Sequence, residues 1–227
     1  MRDTGILTPS QTIRAANKEI ELFKSSKESA KGLPEDFSST ISLDGLAWLA
    51  KYNVTTAERD FYGFGYSSRY NRLVLPLFNM SGLIGWQGRA LGKITSDYPK
   101  YMTFVNGHQP RFWFDSRHGI NTHREYEDRL KIVLVEDIVS AVKVGRQYRT
   151  LGLIGSYIRE EMIVWFLKVH KLLPNFKIYI WLDPDKHTEA HLYAGKLRKY
   201  GLNAVVVSTA CDPKEANPTM IHTLIGG

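Results

Sequence analysis

KIVLVED (Lys131–Asp137) and FKIYIWLDPD (Phe176–Asp185) decide how this chain is read, because each is an apolar run that ends in carboxylates. In the first, Ile132, Val133, Leu134 and Val135 lead straight into Glu136 and Asp137. A continuous, β-branched run of that kind predicts a strand buried on both faces. The second ends in Asp183 and Asp185. Between them lie a short apolar piece, TLGLIGS (150–156), and YIREEMIVWFLKVHKL (157–172), in which Ile158, Met162, Trp165, Phe166 and Val169 recur at helical spacing. Strand, helix, strand in this order predicts a parallel sheet with crossovers. Ligands of such sheets sit beyond the carboxyl ends of the strands, which is where Glu136, Asp183 and Asp185 fall.

Charge makes these acids candidates for a metal site. Neighbouring strands lie about 4.8 Å apart, so carboxylates at adjacent strand ends repel unless they are protonated or bridged by a cation. A hard divalent ion, Mg2+ or Mn2+, is the natural counter-charge for clustered oxygen ligands. Any one of these acids alone reads as a solvated loop residue. Glu136 together with the Asp183-Pro184-Asp185 pair favours the functional reading.

A strand ending in Glu, followed by an apolar strand ending in Asp-x-Asp and a helix, resembles the TOPRIM fold shared by DnaG-type primases, topoisomerases and some nucleases. The wider context selects the primases, phage chains above all. RLVLPLFNMSGLIGWQGRAL (72–91) followed by YPKYMTF (98–104) is similar to the segment that precedes the TOPRIM part in them, and LPEDFSSTISLDGLAWLAKYNVTTAERDFYGFGYS (33–67) is similar to phage primase chains. After Asp185, HTEAHLYAGKLRKYG (187–201), NAVVVS (203–208) and the acidic CDPKEAN (211–217) continue the likeness. The expected fold is α/β: a parallel TOPRIM sheet flanked by helices, preceded by a smaller α+β subdomain. The expected division is a polar arm or linker (1–32), the α+β subdomain (33–128), the TOPRIM subdomain (129–217) and a tail (218–227).

The resemblance implies roles. Glu136, Asp183 and Asp185 become catalytic residues and ligands of Mg2+ or Mn2+, with Asp212 a second-metal or outer-shell ligand. Arg89 and Lys100 become contacts to the nucleotide triphosphate and Arg72 a weaker one; where this chain has Gln109 and Pro110 in place of a family lysine, either Arg111 takes that load or the contact is lost. Guanidinium groups fork onto phosphate oxygens and lysine acts as a point charge; singly, each of these cations reads as a solvated surface residue. Lys143, Arg146 and Arg149 are assigned to template phosphates, with a plain solvated helix face as the alternative. Three departures stand out: Asp137 where the family usually has Gly, Ser140 where a further acid is common, and Lys214 in place of a frequent Asp.

The remaining sequence bounds the rest. With 227 residues, 43% of them hydrophobic, the chain has ample material for a core. Thirty Lys and Arg against 23 Asp and Glu give a net charge of +7, which favours polyanionic partners. The one cysteine, Cys211, excludes an internal disulfide and a cysteine zinc ribbon, so no zinc is expected. No apolar run reaches membrane-spanning length and no signal peptide is evident, so a cytoplasmic place is expected, that of a bacterial host if the chain is phage-encoded. There is no Walker A motif. Residues 72–91 predict a β-hairpin turning at Asn79–Gly82, with Pro76 at an edge or bulge. Leu43, Leu46, Ala47, Leu49 and Ala50 predict a short buried helix, and a second runs from near Thr55 to before Gly63. In the polar arm, Ile13, Ala16, Ile20 and Phe23 form a thin stripe suited to a docking helix. Phe112, Trp113 and Phe114 suit base stacking or core, and 120–130 predicts a polar helix with a Glu125–Arg129 pair.

The function expected is RNA primer synthesis on single-stranded DNA from ribonucleoside triphosphates. The metal would position the triphosphate, and a second ion would activate the primer 3′-hydroxyl. A replicative helicase and a separate zinc-binding protein are the implied partners. The rivals are a TOPRIM nuclease and a non-catalytic accessory that binds nucleic acid, nucleotide or helicase.

Overall fold

In the computed structural model, residues 32–79, 82–105, 113–114, 130–155 and 157–226 are described, and they build two five-stranded sheets. The first is antiparallel and ordered β1 (Phe37–Ser38), β2 (Gly65–Ser67), β3 (Arg72–Asn79), β4 (Gly82–Ala90), β5 (Tyr101–Val105). Between β1 and β2 the chain forms α1 (Leu43–Lys51) and α2 (Thr56–Tyr62). The start and stop of α2 follow from its sequence. Thr55 and Glu58 make a reciprocal capping box, and Gly63 ends the helix in the left-handed conformation.

β3 and β4 are the expected hairpin, with a register shift between Leu77 and Phe78. Pro76 lies one residue before that irregularity and beyond Val74, the last residue that β2 pairs, so its missing N–H leaves no gap in that ladder. Gly85 has φ +153°, and a Cβ there would come within 2.0 Å of the Phe104 carbonyl oxygen on β5. Glycine is therefore what lets β5 close onto β4. α1 is more exposed than its apolar content predicts. Leu49 is buried, but Leu43 is 85% exposed and Ala47 and Ala50 also face outward.

The second sheet has the order β10 (Asn203–Val206), β9 (Lys177–Ile180), β7 (Lys131–Val135), β8 (Arg149–Gly152), β6 (Trp113–Phe114). Three of its four pairings are parallel, and the fourth, β6 along β8, is antiparallel. β6 thus belongs to the second sheet, although the sequence division places 113–114 in the first part. An antiparallel edge strand on a parallel sheet is a common arrangement. Connections are made by α3 (Ile138–Gly145), α4 (Glu160–Leu172) and α5 (His187–Lys199).

Period-two alternation splits the strands of this sheet between two apolar clusters. Val133, Val135, Tyr179 and Trp181 face a cluster shared with α3 and the first sheet, including Leu49, Tyr62, Leu73, Leu75 and Leu77. Ile132, Leu134, Ile178 and Ile180 face the other, built with Met162, Ile163 and Phe166 of α4 and Ala190, Ala194 and Leu197 of α5. Both faces are covered, which is why the sequence shows continuous apolar runs.

From β7 the chain moves to β8 on one side and then returns past β7 to β9 on the other. The direction of progress reverses between β7 and β9, and in open parallel sheets the ligand crevice lies beyond the carboxyl ends of the strands at such a point.

Residues 218–226, read from sequence as a tail, form a helix, α6 (Pro218–Gly226). Ile221 and Ile225 are buried in the cluster shared by the two sheets, Gln147 donates to the Pro218 carbonyl at 2.9 Å and Lys131 to the Gly226 carbonyl at 3.2 Å. The polar arm at 1–31, the 120–129 helix and Phe112 lie outside the described residues, as does any side-chain role for Trp113 and Phe114.

Docking of α6 through its apolar residues has a measurable consequence. Truncation of a fully buried isoleucine removes transfer energy and leaves a cavity, so Ile225→Ala should lower the unfolding free energy by about 3 kcal/mol in a denaturant titration. A frayed tail would show almost no change.

Candidate functional site

The sheet delivers its acids to one place. β7 and β9 are in register from Lys131↔Lys177 to Leu134↔Ile180, and Trp181 N–H donates to the Leu134 carbonyl at 2.9 Å. Glu136 and Asp183 therefore emerge side by side. Asp212 follows β10, the next strand out, and its loop is tied to β9 by the Trp181 indole N–H, which donates to the Cys211 carbonyl at 3.4 Å.

Asp137 does two things. Its side chain accepts the Ser140 N–H at 2.8 Å and caps α3, and its other oxygen accepts from Lys214 Nζ at 3.3 Å. Lys214 also pairs with Asp212 and lies 3.8 Å from Asp183. One ammonium thus serves carboxylates from the ends of three strands, with its side chain only 11% exposed. Burial alone would weaken the ammonium, but Asp137, the hydrogen bond to Asp212 and Asp183 outweigh it and hold its pKa above the usual lysine range.

Among the described residues no cation pairs with Glu136. Burial first, then the negative charges of Asp183, Asp137 and Asp185, push its pKa up to about 7. Asp183 is raised to about 6 by burial and the charges of Asp212, Asp137 and Asp185, against the opposing pull of Lys214. Asp185 stands exposed in a single 3-10 turn, Pro184–Lys186. Glu136 Oε2 and Asp183 Oδ1 are buried and without a hydrogen-bond partner among the described residues. Unpaired buried oxygens on acids that repel one another are what a cation would satisfy. Among the described residues no three Asp, Glu, His or Cys side chains form a preformed cage. Mg2+ fits such a place, since it is held through one or two carboxylates with waters and substrate phosphates completing its shell.

The first sheet supplies the facing wall. Tyr101, at the start of β5, is held strongly in its neutral form by burial and by the nearby Asp137 charge, with Arg89, Lys214 and Tyr52 also in range. Lys214 Nζ lies 5.9 Å from the Tyr52 ring centre, Tyr52 stacks edge-on with Trp48 at 5.2 Å, and the Arg89 guanidinium lies 5.3 Å from Trp48 and 5.4 Å from Tyr101. A continuous run of cations and aromatic rings therefore leads from the acids to Arg89. Arg89 Nη1 makes one long hydrogen bond, 3.4 Å, to the Lys100 carbonyl, and no carboxylate among the described residues pairs with it. Lys100 is exposed, its ammonium 5.6 Å from the Tyr101 ring centre.

Other expected contacts lie elsewhere. Arg72 is 1% exposed. Its guanidinium donates to the Pro99 carbonyl at 2.8 Å and the Gly88 carbonyl at 3.3 Å and lies 4.3 Å from the Tyr98 ring centre, and burial lowers its pKa. It anchors the loop that carries Lys100 rather than presenting a fork to a ligand. Arg111 lies outside the described residues.

Arg146 makes a two-pronged ion pair with Glu58, at 2.7 and 2.8 Å, and donates to the Asn53 carbonyl at 2.6 Å. It joins α3 to α2 across the two parts of the protein, so template phosphates would have to displace a carboxylate. Lys143 is 6% exposed. Arg149 opens β8, at the end of the sheet opposite the acids. These three cations therefore do not form one exposed track. Sequence reasoning missed Lys214, Tyr52, Trp48 and Tyr101 as parts of the site. Only Lys214 carried a signal, its place two residues after Asp212.

The raised Glu136 pKa sets a pH dependence. Between about pH 4.5 and pH 7 the folded chain keeps a proton that the unfolded chain has lost, so in chelator stability falls as pH rises through that window. Glu136→Gln removes the penalty. It should raise the melting temperature by roughly 2–5 °C at about pH 8, corresponding to about 1 kcal/mol after allowance for solvent screening, and leave it unchanged at about pH 5. A lower melting temperature for the variant at the higher pH would contradict the frustrated-charge geometry.

No protein-family model matches the chain, and no curated protein matches it in sequence. Solved structures do. The RNA polymerase domain of Mycobacterium tuberculosis primase DnaG is 12% identical, with a TM-score of 0.59 over 96% of this chain and 84% of that one. A DnaG catalytic core is 15% identical, with a TM-score of 0.53 over 89% of this chain and 74% of that one. The Mycobacterium domain in complex with a double-stranded DNA oligomer bearing a 6-nucleotide overhang gives 14% identity and a TM-score of 0.54 over the same shares, 89% and 74%. At these identities the likeness is one of fold: a parallel sheet flanked by helices beside an antiparallel sheet, the architecture of primase catalytic cores.

Proposed function

We propose that this chain is the catalytic core of a TOPRIM-type DNA primase of the phage kind, making RNA primers on single-stranded DNA by metal-dependent nucleotidyl transfer. The observation that carries the reading is the pair of unpartnered buried oxygens, Glu136 Oε2 and Asp183 Oδ1, at the crevice where the sheet reverses direction. The fold shared with primase cores, one of them solved with DNA, supports it.

Glu136 and Asp183 would hold Mg2+ or Mn2+, with Asp185 close by, and the ion would supply neutralisation of charge on the phosphoryl oxygens. The protein's own groups account for binding and orientation. Arg89, braced by Trp48 and Tyr101, has donors left for phosphate oxygens. Lys100 adds a mobile point charge at the rim, on a loop that Arg72 fixes. Acids at the floor and cations along the wall suit a triphosphate whose far end meets Arg89 and Lys100 while its reacting phosphorus lies at the carboxylates.

Ribonucleoside triphosphates and a single-stranded template are then the substrates. A replicative helicase and a zinc-binding protein acting in trans are the proposed partners. Lys214 among the acids, and the lack of a three-ligand cage in the described residues, favour one second reading, a non-catalytic accessory that binds without turnover.

Primer synthesis separates these. Purified protein with single-stranded DNA, labelled ribonucleotides and Mg2+ or Mn2+ should yield short RNA, and Asp183→Ala should reduce the yield at least about 100-fold with the far-UV spectrum unchanged. Full synthesis by the variant would remove the acids from the mechanism. Nucleic-acid binding without product would select the accessory, and cleaved template without nucleotides would select a nuclease.

A further inference from the structure

Lys214 sits where a cation is needed. Its Nζ lies 3.3 Å from Asp137 and 3.8 Å from Asp183 and pairs with Asp212, so carboxylates from the ends of β7 and β9 and from beyond β10 meet on one nitrogen. The backbone fixes it there as well. Asp212 caps the short turn Pro213–Glu215 by accepting the Lys214 N–H at 3.1 Å, so the same carboxylate holds both ends of the lysine. The ring of Tyr52, at the end of α1, lies 5.9 Å from the same nitrogen. The three paired side chains are 14%, 25% and 17% exposed, so water screens this group poorly.

The two halves of the acidic cluster therefore differ. On one side, Asp137 and Asp212 already have a counter-charge. On the other, Glu136 Oε2 and Asp183 Oδ1 are turned to no hydrogen-bond partner among the described residues, and of the two acids only Asp183 is reached by Lys214, at 3.8 Å through its other oxygen. A second divalent ion on the first side would have to come within ligand distance of the same oxygens that hold the ammonium, where like charges repel.

We propose that Lys214 is a resident cation that takes the place of a second divalent ion, so that this site binds one metal ion and not two. The inference rests on the metal reading above and adds to it a stoichiometry and a determinant. The single ion belongs to Glu136 and Asp183. Lys214 keeps Asp137 and Asp212 neutralised whether or not that ion is present, and activation of an attacking hydroxyl by a second metal is then unavailable at this site.

The test is Mn2+ binding to the full chain without nucleotide or DNA, read by calorimetry and by the paramagnetic resonance of free and bound Mn2+. The wild type should bind one ion. Lys214→Met, which keeps the stem and removes the charge, should bind two, with the resonance broadened by coupling between close ions. Glu136→Gln should lose the wild type's ion, while Glu136→Gln combined with Lys214→Met should regain one.

Because Lys214→Met leaves three acids facing one another, it could unfold in chelator. Its melting temperature is therefore followed as Mn2+ is added, and the rise should exceed the wild type's severalfold. Two ions in the wild type would overturn the inference and leave the metal reading standing. One ion in both proteins, with equal thermal shifts, would also overturn it. No ion in either would overturn the inference together with the reading it rests on.

Discussion

Repulsion among carboxylates at the ends of neighbouring parallel strands is the constraint around which this structure is arranged. Two unit charges about 4 Å apart near a protein surface interact by roughly 4 kcal/mol, so five acids in one crevice cannot be left to themselves. The protein answers in parts. Asp137 spends one oxygen on the amino end of α3 and the other on Lys214. Asp212 is bound at both oxygens by Lys214. Asp185 stays in water. Glu136 Oε2 and Asp183 Oδ1 are left, buried and without a partner among the described residues. That unfavourable energy is tolerable because the strands beneath are covered on both faces by apolar clusters.

The antiparallel sheet gives this crevice a second wall, and its placement depends on polar ties as much as on packing. Arg146 binds the capping box of α2 from the end of α3, so the element that follows Glu136 is joined to the element that follows α1. Trp48 and Tyr52 on and just beyond α1 then meet Arg89 and Lys214 respectively. Arg72 lies across Gly88, where a Cβ would come within 2.8 Å of its Cδ, and fastens the loop before β5. The cations of this wall thus differ in what they touch: Arg72 and Arg146 tie backbone carbonyls and Glu58, whereas Arg89 lies over Trp48 and Tyr101 and Lys100 is exposed.

The strands and their acids were legible in the sequence because a strand buried on both faces must be apolar throughout, and Glu136 and Asp183 break that rule abruptly. The hairpin at 72–90 was legible from its turn and its β-rich flanks, and α2 from Thr55, Glu58 and Gly63. What stayed hidden depends on contacts between distant residues. Nothing local distinguishes Arg72, whose partners are backbone carbonyls 16 and 27 residues away, from Arg89, which makes one long hydrogen bond to the Lys100 carbonyl and lies over two aromatic rings. Arg146 and Glu58 are 88 residues apart. α6 carries few turns and no charged residue, so its helical period says little until Ile221 and Ile225 are seen to fill the core between the sheets. The burial of Lys143 and the place of Arg149 at the far end of β8 likewise follow from tertiary packing, which a periodicity argument does not reach.

Asp137 and Lys214, read separately in the sequence, are one unit in space. Asp137 adds negative charge beside Glu136 and by itself would deepen the repulsion. Lys214 brings a positive charge to the cluster, and without Asp137 it would have one acid fewer to satisfy it. Together they form an ion pair of 3.3 Å between residues 77 apart, with Asp212 and Asp183 completing the ammonium's surroundings. Each residue supplies what the other lacks, and the paired state is compatible with the helix cap that Asp137 also provides. The third strand end is therefore already neutralised, while Glu136 Oε2 and Asp183 Oδ1 stay without a hydrogen-bond partner among the described residues.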